Sequence, residues 1–162
     1  MSKQTKVNGI RHGFRSGLEE AVAGQLDDKG VDAGYESARL HYVKPARKAK
    51  YTPDFILPNG IVIETKGRFV VEDRQKHLIL KEQYPELDIR LVFSNPRSRI
   101  SKRSKTTYAA WCEKHDFEYA AKWVPSDWLK EPRCPVRVKA LQDAVKGTAV
   151  EYHFAIKPSK KK

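Results

Sequence analysis

Apolar residues recur along the chain with two periods, one typical of helices and one typical of strands. Helical spacing begins after Ser16, where Leu18, Val22 and Leu26 share a face and Gly30 follows as a stop. Further helices are predicted at 70–84, 107–115 and 126–130, and strands at 35–43, 87–93, 117–122 and, as a hairpin, within 51–67. This order of elements predicts an α/β fold in which helices flank a mixed sheet.

The hairpin, YTPDFILPNGIVIETKG, is the stretch around which the other elements are arranged. Residues two apart on a strand share a face, so Glu64 and Lys66 are predicted to lie on the same side of its second strand. A two-residue turn would leave Asp54 on the opposite side, whereas a three-residue loop at 58–60 would pair Asp54 with Glu64. We predict the longer loop, because it ends at Gly60 and glycine adopts the left-handed conformation that such loops need without steric cost.

Two facing carboxylates repel each other and lower stability unless a positive charge lies between them. A divalent cation would supply that charge. Mg²⁺ prefers hard oxygen ligands such as carboxylates, water and phosphate, and Mn²⁺ is expected to substitute for it. Held by Asp54 and Glu64, the metal would activate water and polarise a phosphate, while Lys66 orients the nucleophile or offsets charge on phosphorus. The alternative is an ordinary exposed hairpin face, and taken alone the pattern favours neither.

Composition adds a charge imbalance to this picture. The chain has 162 residues with 32 Lys and Arg against 20 Asp and Glu, a formal charge of +12. Its length suits one domain, and its charge favours a polyanionic partner, nucleic acid before an anionic membrane surface. No apolar run approaches the length of a spanning helix and the start lacks a secretion signal, so we expect no membrane association and a cytoplasmic location. Cys112 and Cys134 fit packing roles better than a disulfide or a metal site.

Basic residues are concentrated in segments around the predicted core. Residues 1–15 read as a flexible basic arm, and 133–162 as a basic extension with one or two amphipathic turns and a strand-like run at 150–156. The candidates for contact with a phosphate backbone are Arg15, Lys44, Arg47, Lys48, Lys50, Arg97, Arg99, Lys102, Arg103 and Lys105. Solvated connectors are the alternative, but beside a metal site we favour contact with DNA.

The hairpin motif resembles that of the PD-(D/E)XK nuclease superfamily. It reads Pro53-Asp54, nine intervening residues, and then Glu64-Thr65-Lys66. The resemblance implies a restriction-endonuclease-like core and hydrolysis of phosphodiesters.

Further stretches narrow the resemblance to one family. FRSGLE, DRQKHLIL and EQYPELDIRLVFS, in this order around the hairpin, are similar to the bacteriophage junction-resolving endonuclease I family over about residues 9–132, and the last thirty or so residues show no counterpart. The catalytic set that this resemblance implies is Glu19, Asp54, Glu64 and Lys66. The metal ligands that it implies are Asp54, Glu64, Glu19 and Thr65. On local evidence alone, Glu19 is better explained as the capping-box partner of Ser16.

The same resemblance implies a substrate and an assembly. Family members cut branched DNA, especially four-way junctions, by paired nicks as intertwined homodimers, in the cytoplasm of a bacterial host. The main domain, 16–132, would then divide into a first helix and strand at 16–43, a crossing segment at 44–50 and a catalytic core at 51–132. Pro45 is expected to disfavour a tight hairpin back onto the same chain, which favours the crossing.

Two other interpretations are open at this point. Strand-cleaving subunits of transposition complexes have a similar hairpin, although the short chain and the FRSGLE to LVFS series argue against that class. The second alternative is a basic module that binds DNA without cutting it. The presence of all four candidate catalytic residues argues against this alternative. Metal-dependent nicking of a junction would distinguish an enzyme from such a module.

Overall fold

The computed structural model describes residues 16–44 and 47–147, and of Arg47 the backbone only. Several predictions fall outside the described residues: the arm 1–15, Arg15, the role of Pro45 itself and the strand at 150–156. Within the described ranges, no helix has the length and apolar character needed to cross a bilayer. Cys112 is buried, and both cysteines are free.

The described chain contains five helices and seven strands. In order they are α1 (Gly17–Asp28), β1 (Gly34–Tyr35), β2 (Leu40–Lys44), β3 (Arg47–Tyr51), β4 (Phe55–Ile56), β5 (Val62–Lys66), α2 (Val71–Gln83), β6 (Ile89–Phe93), α3 (Tyr108–Lys114), β7 (Tyr119–Ala121), α4 (Ser126–Lys130) and α5 (Pro135–Lys146). The predicted α/β class is confirmed, as are the short helices before and after β7. Trp128 of α4 is buried, as its position in the sequence predicts.

The main sheet contains five strands in the order β1-β4-β5-β6-β7. β1, β4 and β5 are antiparallel neighbours, whereas β5, β6 and β7 run parallel, so the predicted mixed sheet is confirmed. Ile63 and Val92 pack against α1 and α4 on one face, and Val62 packs with α2 and α5 on the other. Because both faces are covered, β5 is buried from Val62 through Thr65, and Glu64 is among these buried residues. Lys66, its last residue, is half-buried.

β4 and β5 pair in the register that a three-residue loop requires. Phe55 lies opposite Ile63, and the loop between the strands ends at Gly60, whose φ is 93°. The predicted loop is therefore confirmed. One further step of the same register brings Asp54 to the level of Glu64.

β2 and β3 form a separate two-stranded sheet. They pair antiparallel within one chain, with Lys44 opposite Arg47, which leaves only two residues to connect them. This tight pairing is the one that Pro45 was expected to disfavour, and Pro45 itself lies outside the described residues. A crossing at 44–50 is therefore a proposal about an assembly and not a feature of this chain by itself.

The C-terminal segment forms one regular helix, α5, where one or two amphipathic turns were predicted. Ala140 and Ala144 pack in the core against β2. Arg137 is buried, and its Nε donates to the carbonyl oxygen of Asn59 over 2.9 Å. α5 therefore contacts both the small β2–β3 sheet and the loop at the tip of the β4–β5 hairpin.

Candidate active site

An open cavity of about 330 Å³ lies where α1, α2, β3 and β5 meet. The residues that line it are Glu19, Lys50, Tyr51, Thr52, Asp54, Glu64, Thr65, Lys66 and Lys76. The four residues predicted to be catalytic are all in this set, and so is Thr65. They come from α1, from the residue that precedes β4 and from β5, and the fold brings the helix to the two hairpin positions.

Asp54 precedes β4 and is buried beside the end of β5. The amide and the hydroxyl of Thr65 both donate to its Oδ2, each over 2.8 Å. Burial raises the pKa of Asp54, and these two hydrogen bonds act in the opposite direction. The hydroxyl of Thr65 thus serves to hold the carboxylate, and the part of Thr65 as a metal ligand stays a prediction.

Glu64 lies on β5 and is only 4% exposed. Its Oε2 accepts a hydrogen bond from the hydroxyl of Tyr51, the last residue of β3. Burial raises the pKa of Glu64 to about 7, while the positive charges of Lys66 and Lys76 lower it. A buried carboxylate of this kind becomes fully ionised when a further cation is placed beside it.

Glu19 enters the cavity from the first turn of α1. The helix begins there because the Ser16 Oγ accepts the Glu19 amide hydrogen over 3.1 Å, which confirms the predicted N-cap. The Glu19 side chain lines the cavity, and its Oε2 accepts a hydrogen bond from the hydroxyl of Tyr35 over 2.7 Å. Burial, and then this hydrogen bond, raise the pKa of Tyr35. The Ser16 half of the predicted capping box is therefore confirmed, and the half in which the Glu19 side chain accepts from the Ser16 amide stays a prediction.

Glu36 lies beside two of these carboxylates and was not among the site residues predicted from the sequence. Carboxylate oxygens of Glu19, Glu36 and Asp54 lie within 4.8 Å of one another. Glu36 follows β1 with φ of 45°, and its amide donates to the carbonyl oxygen of Asp54 over 2.9 Å. The pairing of β1 with β4 brings it there, and no motif spacing in the sequence indicates that pairing.

Lys66 and Lys76 bring positive charge to the cavity. The Nζ of Lys66 lies 3.1 Å from Oδ1 of Asp73 and 3.9 Å from Glu64. The Nζ of Lys76 lies 3.7 Å from the same Asp73 oxygen and 4.6 Å from the ring centroid of Tyr51. Burial lowers the pKa of Lys76, and the carboxylate of Glu64 raises it. The two ammonium groups are neighbours that share one carboxylate oxygen.

Four of the residues predicted to contact DNA lie on the β2–β3 hairpin. Lys50 is exposed and lines the cavity. Lys48 is exposed two residues earlier on the same strand, and Lys44 of β2 is half-buried. The side chain of Arg47 lies outside the described residues. Lys50 is thus the member of this group that the fold brings to the carboxylates.

The other predicted DNA contacts lie in the basic loop, residues 94–107, between β6 and α3. The loop starts at the edge of the sheet that holds Lys66, because the Ser94 amide donates to the Lys66 carbonyl oxygen over 3.2 Å. The Ile100 amide donates to the Thr106 carbonyl oxygen over 2.9 Å, which closes the loop on itself. Its exposed basic residues are Arg97, Arg99, Lys102, Arg103 and Lys105.

This arrangement combines the groups that hydrolysis of a phosphodiester requires. Buried carboxylates in close proximity provide hard oxygen ligands for a divalent cation. Ammonium groups beside them can offset the charge of a phosphate. Exposed basic residues at the same edge of the sheet provide a surface for an extended polyanion.

Comparison with known proteins decides the family. The model of the phage endonuclease I family matches residues 1–148. The chain belongs to the phage endonuclease I family. It is 52% identical over 129 residues to "Endonuclease I" of Escherichia phage T7, with 78% of this chain and 87% of the relative covered. It is 55% identical over 120 residues to "Endodeoxyribonuclease 1" of Enterobacteria phage T3, with 74% of this chain and 79% of that relative covered.

These matches confirm the resemblance to the endonuclease I family that the motifs indicated. The family match also extends beyond residue 132 and includes α5. The expectation that the last thirty or so residues have no counterpart is therefore wrong as far as residue 148. For an endonuclease I family member, a cavity lined by buried carboxylates and lysines is the natural candidate for the active site.

Proposed function

We propose that this endonuclease I family member is a metal-dependent endonuclease that resolves four-way and other branched DNA by paired nicks. The observation that carries the proposal is the cavity in which Glu19, Asp54, Glu64 and Lys66 meet. Membership of the family supports cleavage of DNA, and the phage relatives support action in the cytoplasm of a bacterial host. Selectivity for branched DNA rests on the resemblance of the motifs.

The chemistry of the donor set fits a divalent cation, for which we propose Mg²⁺ with Mn²⁺ as a substitute. Buried carboxylates whose oxygens lie within 4.8 Å repel one another, and a cation among them removes that cost. The residues that would hold it are Glu19, Glu36, Asp54 and Glu64, with Thr65 as a further ligand. A bound divalent cation would supply a water of lowered pKa and would offset charge on the phosphate.

The chain's own residues fix these carboxylates in place. Tyr35 holds Glu19, Tyr51 holds Glu64, and Thr65 holds Asp54 with two hydrogen bonds. Because each hydrogen-bond donor is itself packed in the core or on a strand, the oxygens are oriented before substrate arrives. Lys66, at the end of the same strand as Glu64, would orient the attacking water or offset the charge that develops on phosphorus.

The basic loop and the β2–β3 hairpin would bind the DNA backbone on either side of the cavity. Contacts with phosphates position a duplex without reading its sequence, which suits an enzyme that recognises branched structure. The net charge of +12 would further attract DNA before contact is made.

We also propose the intertwined homodimer, on the strength of the resemblance. The β2–β3 connection spans only two residues, and opening it would let β2 of one chain pair with β3 of a second chain in the same register. Such an exchange preserves every strand contact of the closed hairpin. It would also combine Glu19 of one chain with Asp54 and Glu64 of the other.

The test compares a labelled four-way junction with a linear duplex of the same sequence, each with and without Mg²⁺. We expect the junction to be nicked in the presence of metal only, and the duplex to be cut far more slowly. Asp54→Asn, Glu64→Gln and Lys66→Ala are expected to lose cleavage and to retain binding to the junction. Glu20→Gln and Asp32→Asn change exposed acids and serve as controls.

Each contrary result has its own meaning. Cleavage by any of the three site variants at the wild-type rate would contradict the proposed site. Equal cutting of junction and duplex would contradict selectivity for branched DNA. Binding without cleavage in either Mg²⁺ or Mn²⁺ would favour a DNA-binding module that is not an enzyme.

A further inference from the structure

Helix α2 presents two lysines to aromatic rings in nearly the same geometry. The Nζ of Lys76 lies 4.6 Å from the ring centroid of Tyr51, and the Nζ of Lys81 lies 4.5 Å from that of Phe117. Their surroundings differ. Lys76 lines the cavity with the predicted catalytic residues, whereas Lys81 donates to the carbonyl oxygen of Asp116. The chain therefore contains a lysine in the site and a close match for it outside the site.

Lys76 shares its nearest carboxylate oxygen with a second cation. Its Nζ shares the Oδ1 of Asp73 with Lys66, so two ammonium groups face one carboxylate oxygen. Lys66 is additionally 3.9 Å from Glu64, on the side of the cavity where the carboxylates gather. The side chain of Lys76 is 20% exposed. It therefore offers a cation to a ligand that enters the cavity.

We infer that Lys76 binds a phosphate of the DNA strand next to the phosphate that is cleaved. This inference rests on the proposed nuclease function. Lys66 is adjacent to Glu64 and so is placed for the cleaved phosphate, which leaves the neighbouring phosphate to Lys76. A partly buried ammonium makes a strong hydrogen bond to a phosphate oxygen, because little water competes for either group.

A purely structural role for Lys76 makes different predictions. In that case its side chain would only cover the ring of Tyr51 and pair with Asp73, and its removal would act through the hydrogen bond between Tyr51 and Glu64. Lys76→Met separates the two roles, since methionine retains an unbranched apolar side chain over the ring and lacks the charge. Lys76→Arg retains the charge.

The first arm of the test measures cleavage of a four-way junction in Mg²⁺ with enzyme in excess over DNA. Lys76→Met is expected to lower the rate about tenfold or more, as for a lost charge-assisted hydrogen bond, and to leave the melting temperature unchanged. Lys76→Arg is expected to restore most of the rate. Lys81→Met, the matched control, is expected to cut at the wild-type rate.

The second arm replaces single phosphates beside the cleavage point with uncharged methylphosphonates. At one flanking position the wild-type enzyme should slow by about the same factor as Lys76→Met does, and the variant should not slow further, because each change removes the same contact. Additive losses at every flanking position, or a wild-type rate for Lys76→Met, would overturn the inference. If wild-type enzyme does not cut the unmodified junction, the proposed function fails instead. The methylphosphonate arm also decides the matter if Lys76→Met proves less stable, since additivity is measured against that variant's own rate.

Discussion

Thr65 donates twice to a single oxygen of Asp54, once from its amide and once from its hydroxyl, over 2.8 Å in each case. The hydrogen bond from the amide follows from the backbone position of Thr65 on β5. The hydrogen bond from the hydroxyl requires a residue with a hydroxyl group at this position. The Thr65 side chain therefore adds a second hydrogen bond that helps to orient this carboxylate.

Thr65→Val should separate this positioning role from the fold. Valine has nearly the same shape, so we expect a loss of only about 1 kcal/mol in the free energy of unfolding, the value of one hydrogen bond. We expect a larger effect on cleavage, about tenfold, since a misplaced catalytic group is costly. Single-turnover cleavage and urea unfolding measure the two quantities. Thr106→Val, in the basic loop, is the control, and an unchanged cleavage rate for Thr65→Val would contradict the role.

Glu36→Gln tests whether the third carboxylate of the cluster contributes to metal binding. A neutral amide is a weaker ligand for Mg²⁺, so we expect the Mg²⁺ concentration for half-maximal cleavage to rise about tenfold. Without metal, the loss of one repelling charge should raise the melting temperature, and Mg²⁺ should then stabilise the variant less than the wild type. Glu20→Gln controls for a change of the same type on an exposed residue. Identical Mg²⁺ dependence in both variants would remove Glu36 from the ligand set.

Neutralising the basic loop should change how binding responds to salt. Each phosphate contact releases condensed counterions, so each lost contact reduces the slope of log affinity against log salt by about 0.9 on duplex arms. The test replaces the five exposed basic residues of the loop with glutamine and measures the affinity for the junction over a series of salt concentrations. Lys29, Lys114 and Lys130 are exposed lysines elsewhere and provide a control set. An unchanged slope would show that the basic residues of the loop face solvent and do not contact phosphates.

A mixed dimer of Glu19→Gln and Asp54→Asn tests the exchange of segments between chains. If the segments are exchanged, one site of the heterodimer is fully wild type and the other has both lesions, so a supercoiled cruciform plasmid should be nicked to open circles. If each chain builds its own site, both sites have one lesion and the plasmid should stay intact. The chains need different tags and co-expression, because intertwined subunits do not exchange on mixing. Inactivity beside active co-expressed wild-type chains would exclude a shared site.

His77 predicts a specific dependence of stability on pH. Its ring is fully buried and contacts the rings of Tyr51, Phe69 and Phe117, and neither ring nitrogen has a hydrogen-bond partner among the described residues. Burial, and then the charge of Lys76, lower the pKa of His77 well below 6.5. The unfolded chain therefore binds a proton below pH 6.5 that the folded chain excludes, and stability falls as the pH decreases.

The contribution of His77 approaches about 1.4 kcal/mol for each pH unit below that range. His77→Leu, of similar volume, should flatten the dependence between about pH 7 and pH 5 and should not destabilise the protein at neutral pH. Urea unfolding at both values measures the effect. Leu80→Ala, on the same helix, should lower stability equally at both values. A wild-type pH dependence in His77→Leu would contradict the assignment.

The β4–β5 hairpin was predictable because its constraints are local. Strand periodicity set the faces of Glu64 and Lys66, and Gly60 determined the loop length that places Asp54 beside them. The motif series added Glu19, which the capping pattern alone explains differently. These are properties of short stretches, which a single sequence contains in full.

Features that depend on distant pairing were not predictable in the same way. Glu36 comes close to Glu19 and Asp54 only because β1 pairs with β4, and its left-handed backbone conformation is one that glutamate seldom adopts. The pairing of β2 with β3 was not predicted, because the sequence presented residues 44–50 only as a basic connector. For α5, the sequence indicated an amphipathic segment but not its partner, since burial of Ala140 and Ala144 depends on β2.

The position of α5 also links the site to the order of protein synthesis. Translation produces every residue of the cavity before it reaches α5. Yet Ala140 and Ala144 pack in the same cluster as Tyr51, and the hydroxyl of Tyr51 holds Glu64. A nascent chain that ends before α5 therefore lacks part of the core that orients a catalytic carboxylate. The ability to cut DNA is completed late, when the ribosome has passed the helix that covers β2.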